Sequence, residues 1–331
     1  MSACVFVGPT LTVPDAAGIL DATFLPPVRL GDVYRAVTRL QPRAIGIVDG
    51  YFQWVPAVWH KEILWAIGQG VHIFGAASMG ALRAAELAPY GMYGVGRIFE
   101  AYRDGRLHGV DDDPFEDDDE VAVVHGPPEN GYRGRSEAMV NMRCTLAHAL
   151  KEGVIAEETR RALVAAAKAT FFPDRGFIPL VAKGRTTGLP EPELDAFERW
   201  LPAGRIDQKR LDAVAMLEAM RGFLATDPPS ARAVTAFERT TYWERAETAF
   251  RTKNEHPATN LLAAMGLSDV TCERLDESEI RDWYFARVAG ITVPDDLAGW
   301  LHDAGYTDPG DFHRDAFAEY LRRSTGSDGR S

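Results

Sequence analysis

The 331-residue chain has few cysteines and no long apolar runs. Its three cysteines lie far apart and form no CxxC pair, which argues against a zinc knuckle or a disulfide framework and favours reduced thiols in the cytoplasm. No apolar run approaches the ~18 residues that span a bilayer. The amino terminus is typical of a strand and not of a signal peptide. We therefore expect a cytoplasmic protein without a membrane partner.

Positive charge is also scarce. Lys and Arg total 36 against 48 Asp and Glu, which gives a formal net charge of −12. Such a surface argues against sequence-independent nucleic-acid binding, because that binding needs a basic face. The chain contains no GxxxxGK[ST] motif, so we expect no ATP site of this type in it.

The first part of the chain alternates short, continuous apolar runs with segments of helical spacing. This pattern is typical of βαβ units and of a parallel sheet covered on both faces. The predicted strands are residues 4–7, 44–48 and 71–74, and the predicted helices are residues 31–40, 56–67 and 79–87. Pro56 is expected to open the second helix, since proline suits a first helical turn. The fold class is therefore α/β.

The second half has mainly helical patterns after a single strand candidate at residues 121–124. The predicted helices are residues 136–151, 157–172, 191–201 and 208–224. A turn-rich stretch at residues 226–230 predicts a domain boundary. We therefore divide the chain into an α/β core with a helical extension (residues 1–227), a helical region (228–323) and a disordered tail (324–331).

Ser78 is the first candidate site residue. A buried strand ends just before it and a helix begins just after it, and ligands of open α/β sheets bind beyond the carboxyl ends of strands. Ala76 and Gly80 give a small-x-Ser-x-small arrangement, in which small neighbours permit a sharp turn that exposes a nucleophilic hydroxyl. The N–H of Met79 can then hold an oxyanion. The alternative is an ordinary serine that caps the helix.

Lys61 is the second candidate. Helical spacing from Pro56 places it on an apolar face with Ala57, Val58, Trp65 and Gly68, where desolvation would make its amine a base. A Ser–Lys pair is one known form of nucleophile activation. The alternatives are a lysine that reaches solvent, or one that pairs with Asp49 or Glu86.

Other charged residues near these positions have competing interpretations. Asp49, His60 and Ser78 occur in the chain order of one class of catalytic triad. Chain order alone does not establish a triad geometry. In addition, His60 is expected to be exposed to solvent. Arg83 and Glu86 lie three positions apart on one helix and are expected to form a structural ion pair.

Residues 111–120 hold eight carboxylates in ten positions. They lack the spacing of an EF-hand loop. We expect a solvated loop, or a surface that docks a basic partner, and not a metal site.

Several long strings in the chain resemble the TfuA family. They are DGYF at residues 49–52, PAVWHKEIL at 56–64, FGAASMGALRAAEL at 74–87, VFVGPTL at 5–11, GMYGVGRIF at 91–99 and DDEVAVVHGP at 118–127. The resemblance covers roughly residues 4–220 in the expected order.

The resemblance implies a specific chemistry. TfuA proteins accompany YcaO enzymes, which activate peptide amides with ATP and install sulfur to make thioamides. The family member is thought to hydrolyse a thiocarboxylated ThiS-like sulfur carrier, which releases sulfide, and to help YcaO engage its peptide. The family's Ser–Lys pair falls on Ser78 and Lys61, and ATP belongs to the partner, so we expect this chain to need no cofactor.

The resemblance also suggests how a carrier would reach Ser78. ThiS-like carriers end in Gly-Gly, so a narrow channel lined by Gly8, Gly50 and Gly75 would suit them, and Arg83 is a possible anchor for the carrier's end. The Gly8 loop would assist Met79 in holding the oxyanion. The alternative function is that of a non-catalytic adaptor that brings peptide or carrier to YcaO.

Overall fold

The computed structural model describes residues 3–51, 56–111, 113–126, 130–231 and 237–251. These residues belong to one compact unit, Met1–Lys253. Most of the predicted helical region 228–323 and the whole predicted tail 324–331 lie outside the described residues, so the proposed domain division stays a prediction.

A five-stranded parallel sheet forms the centre of the first half. Its order is β2-β1-β3-β4-β5. The strands are β1 (Ala3–Phe6), β2 (Thr23–Leu25), β3 (Ala44–Ile47), β4 (His72–Gly75) and β5 (Tyr93–Gly94). All pairings are parallel, which confirms the α/β class. Because β2 and β3 lie on opposite sides of β1, the winding direction reverses between β1 and β3, and such a switch point leaves a crevice at the carboxyl edge of a sheet.

Five helices connect and extend these strands: α1 (Val13–Ala17), α2 (Asp32–Leu40), α3 (His60–Gly68), α4 (Met79–Leu87) and α5 (Arg97–Asp104). The sequence analysis predicted α2 and α4 closely and missed α1, α5, β2 and β5. Of these, α1, β2 and β5 have at most five residues each, which is too few for a recognisable apolar pattern.

The predicted helix start at Pro56 is wrong, because α3 begins at His60. The Pro56 carbonyl accepts a hydrogen bond from Leu30 N–H (2.9 Å), which holds the chain against another segment at this point. Three residues later the Trp59 N–H donates to the Glu62 carboxylate (3.0 Å). This capping interaction fixes the helix start after Trp59.

The second half is helical, as predicted. Its helices are α6 (Met139–Lys151), α7 (Glu157–Lys168), α8 (Phe177–Thr186), α9 (Glu191–Gly204), α10 (Gln208–Ala225) and α11 (Thr241–Arg251). Helices α6 to α9 share a separate hydrophobic core. The predicted strand at residues 121–124 is wrong: a short 3-10 helix, Asp118–Glu120, leads into residues without regular structure, and an isolated antiparallel bridge between His125 and Gly134 follows.

Helix α10 returns to the sheet and covers one of its faces. Its residues Ala213, Met216 and Met220 are fully buried in the same core as Val5 and Val48. Gly46 in β3 leaves the space that the two methionine side chains fill. The extension that the sequence predicts as purely helical is thus also one layer of the α/β core.

Helix α4 packs against the opposite face of the sheet so closely that there is no room for a side chain at the two contact positions, Gly75 and Gly80. A Cβ on Gly80 would overlap the carbonyl oxygen of Ile47, and a Cβ on Gly75 would overlap the carbonyl oxygen of Gly80. Both obstacles are backbone atoms, which cannot rotate away. These two glycines therefore set the distance between α4 and the ends of β3 and β4.

Replacement of Gly80 by alanine should force α4 away from β3. We expect Gly80→Ala to lower the free energy of unfolding by about 2–3 kcal/mol or more, since overpacking of this kind moves backbone. Urea unfolding followed by circular dichroism measures the change. Gly222→Ala is the matched control: it lies in α10 with open space around its Cβ position, and should stabilise the fold by about 0.5–1 kcal/mol. Equal stability of Gly80→Ala and wild type would contradict the assigned packing.

Candidate active site

The segments that follow the parallel strands meet at one edge of the sheet. Gly8 and Thr10 follow β1, Asp49 and Gly50 follow β3, and Ser78 follows β4. Three of these residues, Thr10, Asp49 and Ser78, are polar and buried. The strand order β2-β1-β3-β4-β5 places these segments side by side.

Asp49 fixes the loop after β1. Its carboxylate accepts hydrogen bonds from Gly8 N–H (2.9 Å), Thr10 N–H (3.1 Å) and the Thr10 hydroxyl (2.6 Å). Three donors on a carboxylate that is 2% exposed hold the loop firmly across the switch point. The Gly8 N–H is therefore already engaged by Asp49 and is not a free donor for an oxyanion in this conformation.

Ser78 lies directly after a strained turn. Ala77 has a φ of +67°, and the Ser78 N–H donates to the Ala76 carbonyl (2.7 Å). Together these features form a γ-turn of the strained, positive-φ kind. A non-glycine residue pays a free-energy cost for this conformation, and such strain is concentrated at functional sites. The turn directs the chain from β4 into α4 with Ser78 at the corner.

The Ser78 hydroxyl does not cap the helix that it precedes. Ser78 is the N-cap residue of α4, yet its side chain accepts no capping hydrogen bond, and it has no side-chain hydrogen bond to any described residue. Ser78 is 7% exposed. The alternative interpretation as an ordinary capping serine therefore does not match the geometry, and the hydroxyl is left without a structural partner within the described part of the chain.

Met79 supplies a free N–H beside Ser78. The N–H groups that follow it are used: Gly80 donates to Val48 (3.3 Å), while Ala81 and Leu82 donate to Ser78 (2.9 and 3.2 Å). Met79 N–H donates to no carbonyl among the described residues. A free N–H at the positive end of a helix suits an anion or a developing oxyanion.

The glycines Gly8, Gly50 and Gly75 do not line open space with their missing side chains. A Cβ on Gly8 would meet Pro27, one on Gly50 would meet Met79, and one on Gly75 would meet Gly80 and Met92. Protein atoms occupy the space that a Cβ would take, and the channel lined by these three glycines stays a prediction. Their role in this structure is close packing around the ends of the strands.

Lys61 lies in the first turn of α3 and is partly buried. Its ammonium donates to the Thr240 hydroxyl (2.9 Å) and lies 5.6 Å from the ring centre of Phe237. No hydrogen bond joins it to Ser78, Asp49 or Glu86 among the described residues. Because α3 begins at His60 and not at Pro56, the predicted helical face with Ala57 and Val58 does not form. The catalytic role of Lys61 stays a prediction.

His60, Arg83 and Glu86 form a hydrogen-bonded network in which the Arg83 side chain is the least exposed. Glu86 accepts from His60 Nε2 (2.6 Å) and from Arg83 (2.8 Å), and Arg83 also donates to the Val58 carbonyl (3.1 Å). The predicted Arg83–Glu86 ion pair is confirmed. His60 is paired with Glu86, and Asp49 is hydrogen-bonded to the Gly8 loop. The Asp49–His60 hydrogen bond that a catalytic triad requires is therefore not formed.

Lys209 is a buried lysine that the sequence analysis missed. It is 3% exposed and donates to the Val121 carbonyl (2.8 Å). Burial lowers the pKa of its ammonium, while the neighbouring carboxylates of Asp49, Asp207 and Glu137 oppose that shift. Its burial could have been predicted from the sequence, because helical spacing places Lys209 on the same face as the apolar residues Ala213 and Met216.

The acidic segment 111–120 is paired inside the protein. Arg143, 2% exposed, binds both oxygens of Glu120 (3.0 and 2.9 Å) and one oxygen of Asp111 (2.9 Å). Five carboxylates of this segment form ion pairs with Arg143, Lys168 or Arg175: Asp111, Asp113, Asp117, Asp119 and Glu120. The expectation of a freely solvated loop is therefore corrected: much of its charge joins it to α6 and α7.

Loss of the Glu120 charge should destabilise the fold. Glu120→Gln leaves the buried Arg143 without its bidentate partner and should lower the free energy of unfolding by about 3 kcal/mol, since broken buried pairs are costly. Glu116 lies in the same segment and is exposed, so Glu116→Gln should change it by less than about 0.5 kcal/mol. Urea unfolding of both variants measures the difference, and equal stabilities would refute the structural role of the segment.

Glu62 connects α2 and α3. Its carboxylate is fully buried and accepts from the N–H groups of Gly31 (2.9 Å), Trp59 (3.0 Å) and Tyr34 (3.3 Å). Burial raises its pKa to about 7, although these three donors oppose the shift.

This pKa makes stability depend on pH. The folded pKa lies above the unfolded one, so the contribution is full at acidic pH and is lost as the pH rises through about 7. We expect a loss of about 3 kcal/mol between pH 4.5 and 8, at about 1.4 kcal/mol per pKa unit. Glu62→Gln should remove this part of the decline in urea unfolding. A wild-type decline that persists unchanged in Glu62→Gln would assign it to other groups.

Comparison with known proteins supports one family. Residues 49–176 match the family of TfuA-like proteins. A search of curated proteins found no match. The chain therefore carries a TfuA-like domain, and this range includes Asp49, Lys61 and Ser78, but ends before Lys209.

Two further observations concern membrane-spanning helices and metal sites. Among the described residues, no helix is both long and apolar enough to cross a membrane. The same residues contain no group of three or more His, Cys, Asp or Glu side chains arranged to hold a metal ion.

Proposed function

We propose that the protein is a hydrolase that cleaves the thiocarboxylate at the end of a ThiS-like sulfur carrier and releases sulfide for YcaO-dependent peptide thioamidation. The observation that carries the proposal is the Ser78 corner: a hydroxyl without a partner among the described residues, after a strained turn, beside the Met79 N–H, which donates to no described carbonyl. The TfuA-like match over residues 49–176 supports the sulfur chemistry and the YcaO partner.

The chemistry follows from these groups. Ser78 Oγ attacks the thiocarboxylate carbon, and the Met79 N–H stabilises the negative charge that develops on the carbonyl oxygen. The C–S bond breaks and sulfide leaves, which gives an acyl-enzyme that water then hydrolyses. A base must accept the Ser78 proton, and Lys61 is the residue to which the family resemblance assigns this role.

Binding of the carrier requires access to Ser78 from the carboxyl edge of the sheet. At that edge the Asp49 carboxylate holds the Gly8–Thr10 loop in place. We infer that the carrier's flexible end enters there, and that the peptide substrate stays with the YcaO partner. ATP is likewise consumed by the partner and not by this chain.

Loss of the Ser78 hydroxyl should abolish sulfide release. Ser78→Ala should reduce release from a purified thiocarboxylated carrier by several orders of magnitude, because the nucleophile is lost. The fold should persist, since this hydroxyl bonds no described residue. Ser230→Ala, an exposed serine next to Gly70 at the other edge of the sheet, is the matched control and should behave as wild type.

The same assay separates the enzyme from the adaptor. Near-wild-type turnover by folded Ser78→Ala would eliminate Ser78 as the nucleophile. Absence of sulfide release by the wild type, together with retained binding of a YcaO enzyme, would favour the non-catalytic adaptor.

A further inference from the structure

Helix α10 places Lys209 at the same edge of the sheet as Ser78. Ala213, Met216 and Met220 follow Lys209 at helical spacing and are fully buried. Their core includes Val48 and the two residues that precede Ser78, which are Ala76 and Ala77. Lys209 lies one turn before Ala213 on this face, towards the start of the helix. It therefore extends beyond the core, past the ends of β3 and β4.

Contacts of neighbouring residues confirm this direction. The end of α10 lies at the opposite edge, where the Phe223 ring packs 4.7 Å from that of His72, the first residue of β4. Near the start of the helix, Asp212 accepts from the Ile98 N–H (2.7 Å), just after β5. The helix thus runs antiparallel to the strands, and its first turn lies at their carboxyl ends.

The amine of Lys209 has unused capacity for hydrogen bonding. An ammonium carries three donors, and Lys209 Nζ donates to the Val121 carbonyl but to no other acceptor among the described residues. The charged groups that face it are Asp49 after β3, Asp207 at the start of α10 and Glu137 before α6, the last of which is paired with Arg205. Asp207 and Glu137 are also held by the Asn141 amide (3.1 and 2.9 Å).

Lys61 has a different environment. Its amine is hydrogen-bonded to Thr240, which precedes α11. It lies on α3, and no hydrogen bond joins either lysine to Ser78 within the described part of the chain. Of the two lysines, Lys209 is the more deeply buried and is the one that interacts with Asp49.

We propose that Lys209, and not Lys61, is the amine that accepts the proton of Ser78. The assignment rests on the proposed function. Neutral Lys209 Nζ takes the Ser78 hydroxyl proton as Oγ bonds to the acyl carbon. The ammonium then gives that proton to the sulfur as the C–S bond breaks, and HS⁻ leaves with the electron pair. Water hydrolyses the acyl-enzyme to a carboxylate, Ser78 regains its proton and one proton passes to solvent.

A fluorophosphonate probe tests this proposal without a carrier or partner. The probe forms an Oγ–P bond with an activated serine and expels fluoride, and mass spectrometry locates the label. Lys209→Met and Lys209→Arg should both label Ser78 at least about 100-fold more slowly than wild type, because general-base catalysis contributes about 10²–10⁴-fold. Arginine should fail despite its charge, since guanidinium does not deprotonate in this range.

The pH dependence gives a reading that does not require a Lys209 variant to fold. Wild-type labelling should rise with pH through one ionisation below the ~10.4 of free lysine. Lys61→Met should lose less activity than either Lys209 variant and should keep the same midpoint. Lys151→Met, an exposed lysine at the end of α6, is the matched control, and circular dichroism checks the fold of each variant.

The outcomes distinguish Lys209 from Lys61 as the base, and the Ser78–Lys209 pair from the proposed function. A loss in Lys61→Met equal to or greater than that in folded Lys209 variants, a shifted midpoint in Lys61→Met, or no labelling of wild-type Ser78 overturns the assignment of Lys209. Wild-type labelling that depends on Lys209, but without sulfide release from a thiocarboxylated carrier, refutes the proposed function and leaves the Ser78–Lys209 pair in place.

Discussion

The close approach of helix α4 to the sheet is the constraint on which the site depends. Gly75 and Gly80 let two backbones meet where any side chain would overlap a carbonyl oxygen. Only Ala76, Ala77 and Ser78 therefore connect β4 to α4, and the chain has to turn sharply there. The strained Ala77 conformation is the result of that turn, and it leaves Ser78 at the corner with a free N–H beside it. The close packing of α4 on the sheet and the position of Ser78 at the corner thus both result from Gly75 and Gly80.

Asp49 serves the same site in a different way. Its carboxylate carries three hydrogen bonds to the loop after β1 and keeps that loop across the switch point of the sheet. A polar residue at the end of a central strand is easily taken for a catalytic one. Here its hydrogen bonds are used for support, which leaves Ser78 as the residue at this edge whose side chain has no structural task among the described residues.

The sequence predicts those parts of the fold whose apolar patterns are continuous. Strands β1 and β3 have uninterrupted apolar runs, β4 is apolar except for His72, and only three residues separate β4 from α4, so the centre of the sheet and the position of Ser78 are predictable. The Lys61 environment is not predictable, because its hydrogen-bond partner Thr240 lies 179 positions away along the chain. Lys209 lies about 130 positions after Ser78 along the chain, and only the return of α10 to the sheet brings it near.

The late position of α10 in the chain affects how the protein folds during its synthesis. The sheet strands lie within the first 94 residues, yet α10, which covers one sheet face, begins at Gln208. During synthesis the face with Val5, Gly46 and Val48 stays without this cover until more than a hundred further residues have been added. Contacts so distant in sequence slow folding and expose apolar surface in the meantime. The nascent chain should therefore depend more on chaperones than a sheet covered by neighbouring helices, and the site is completed late, after α6 to α9 have already formed their own core.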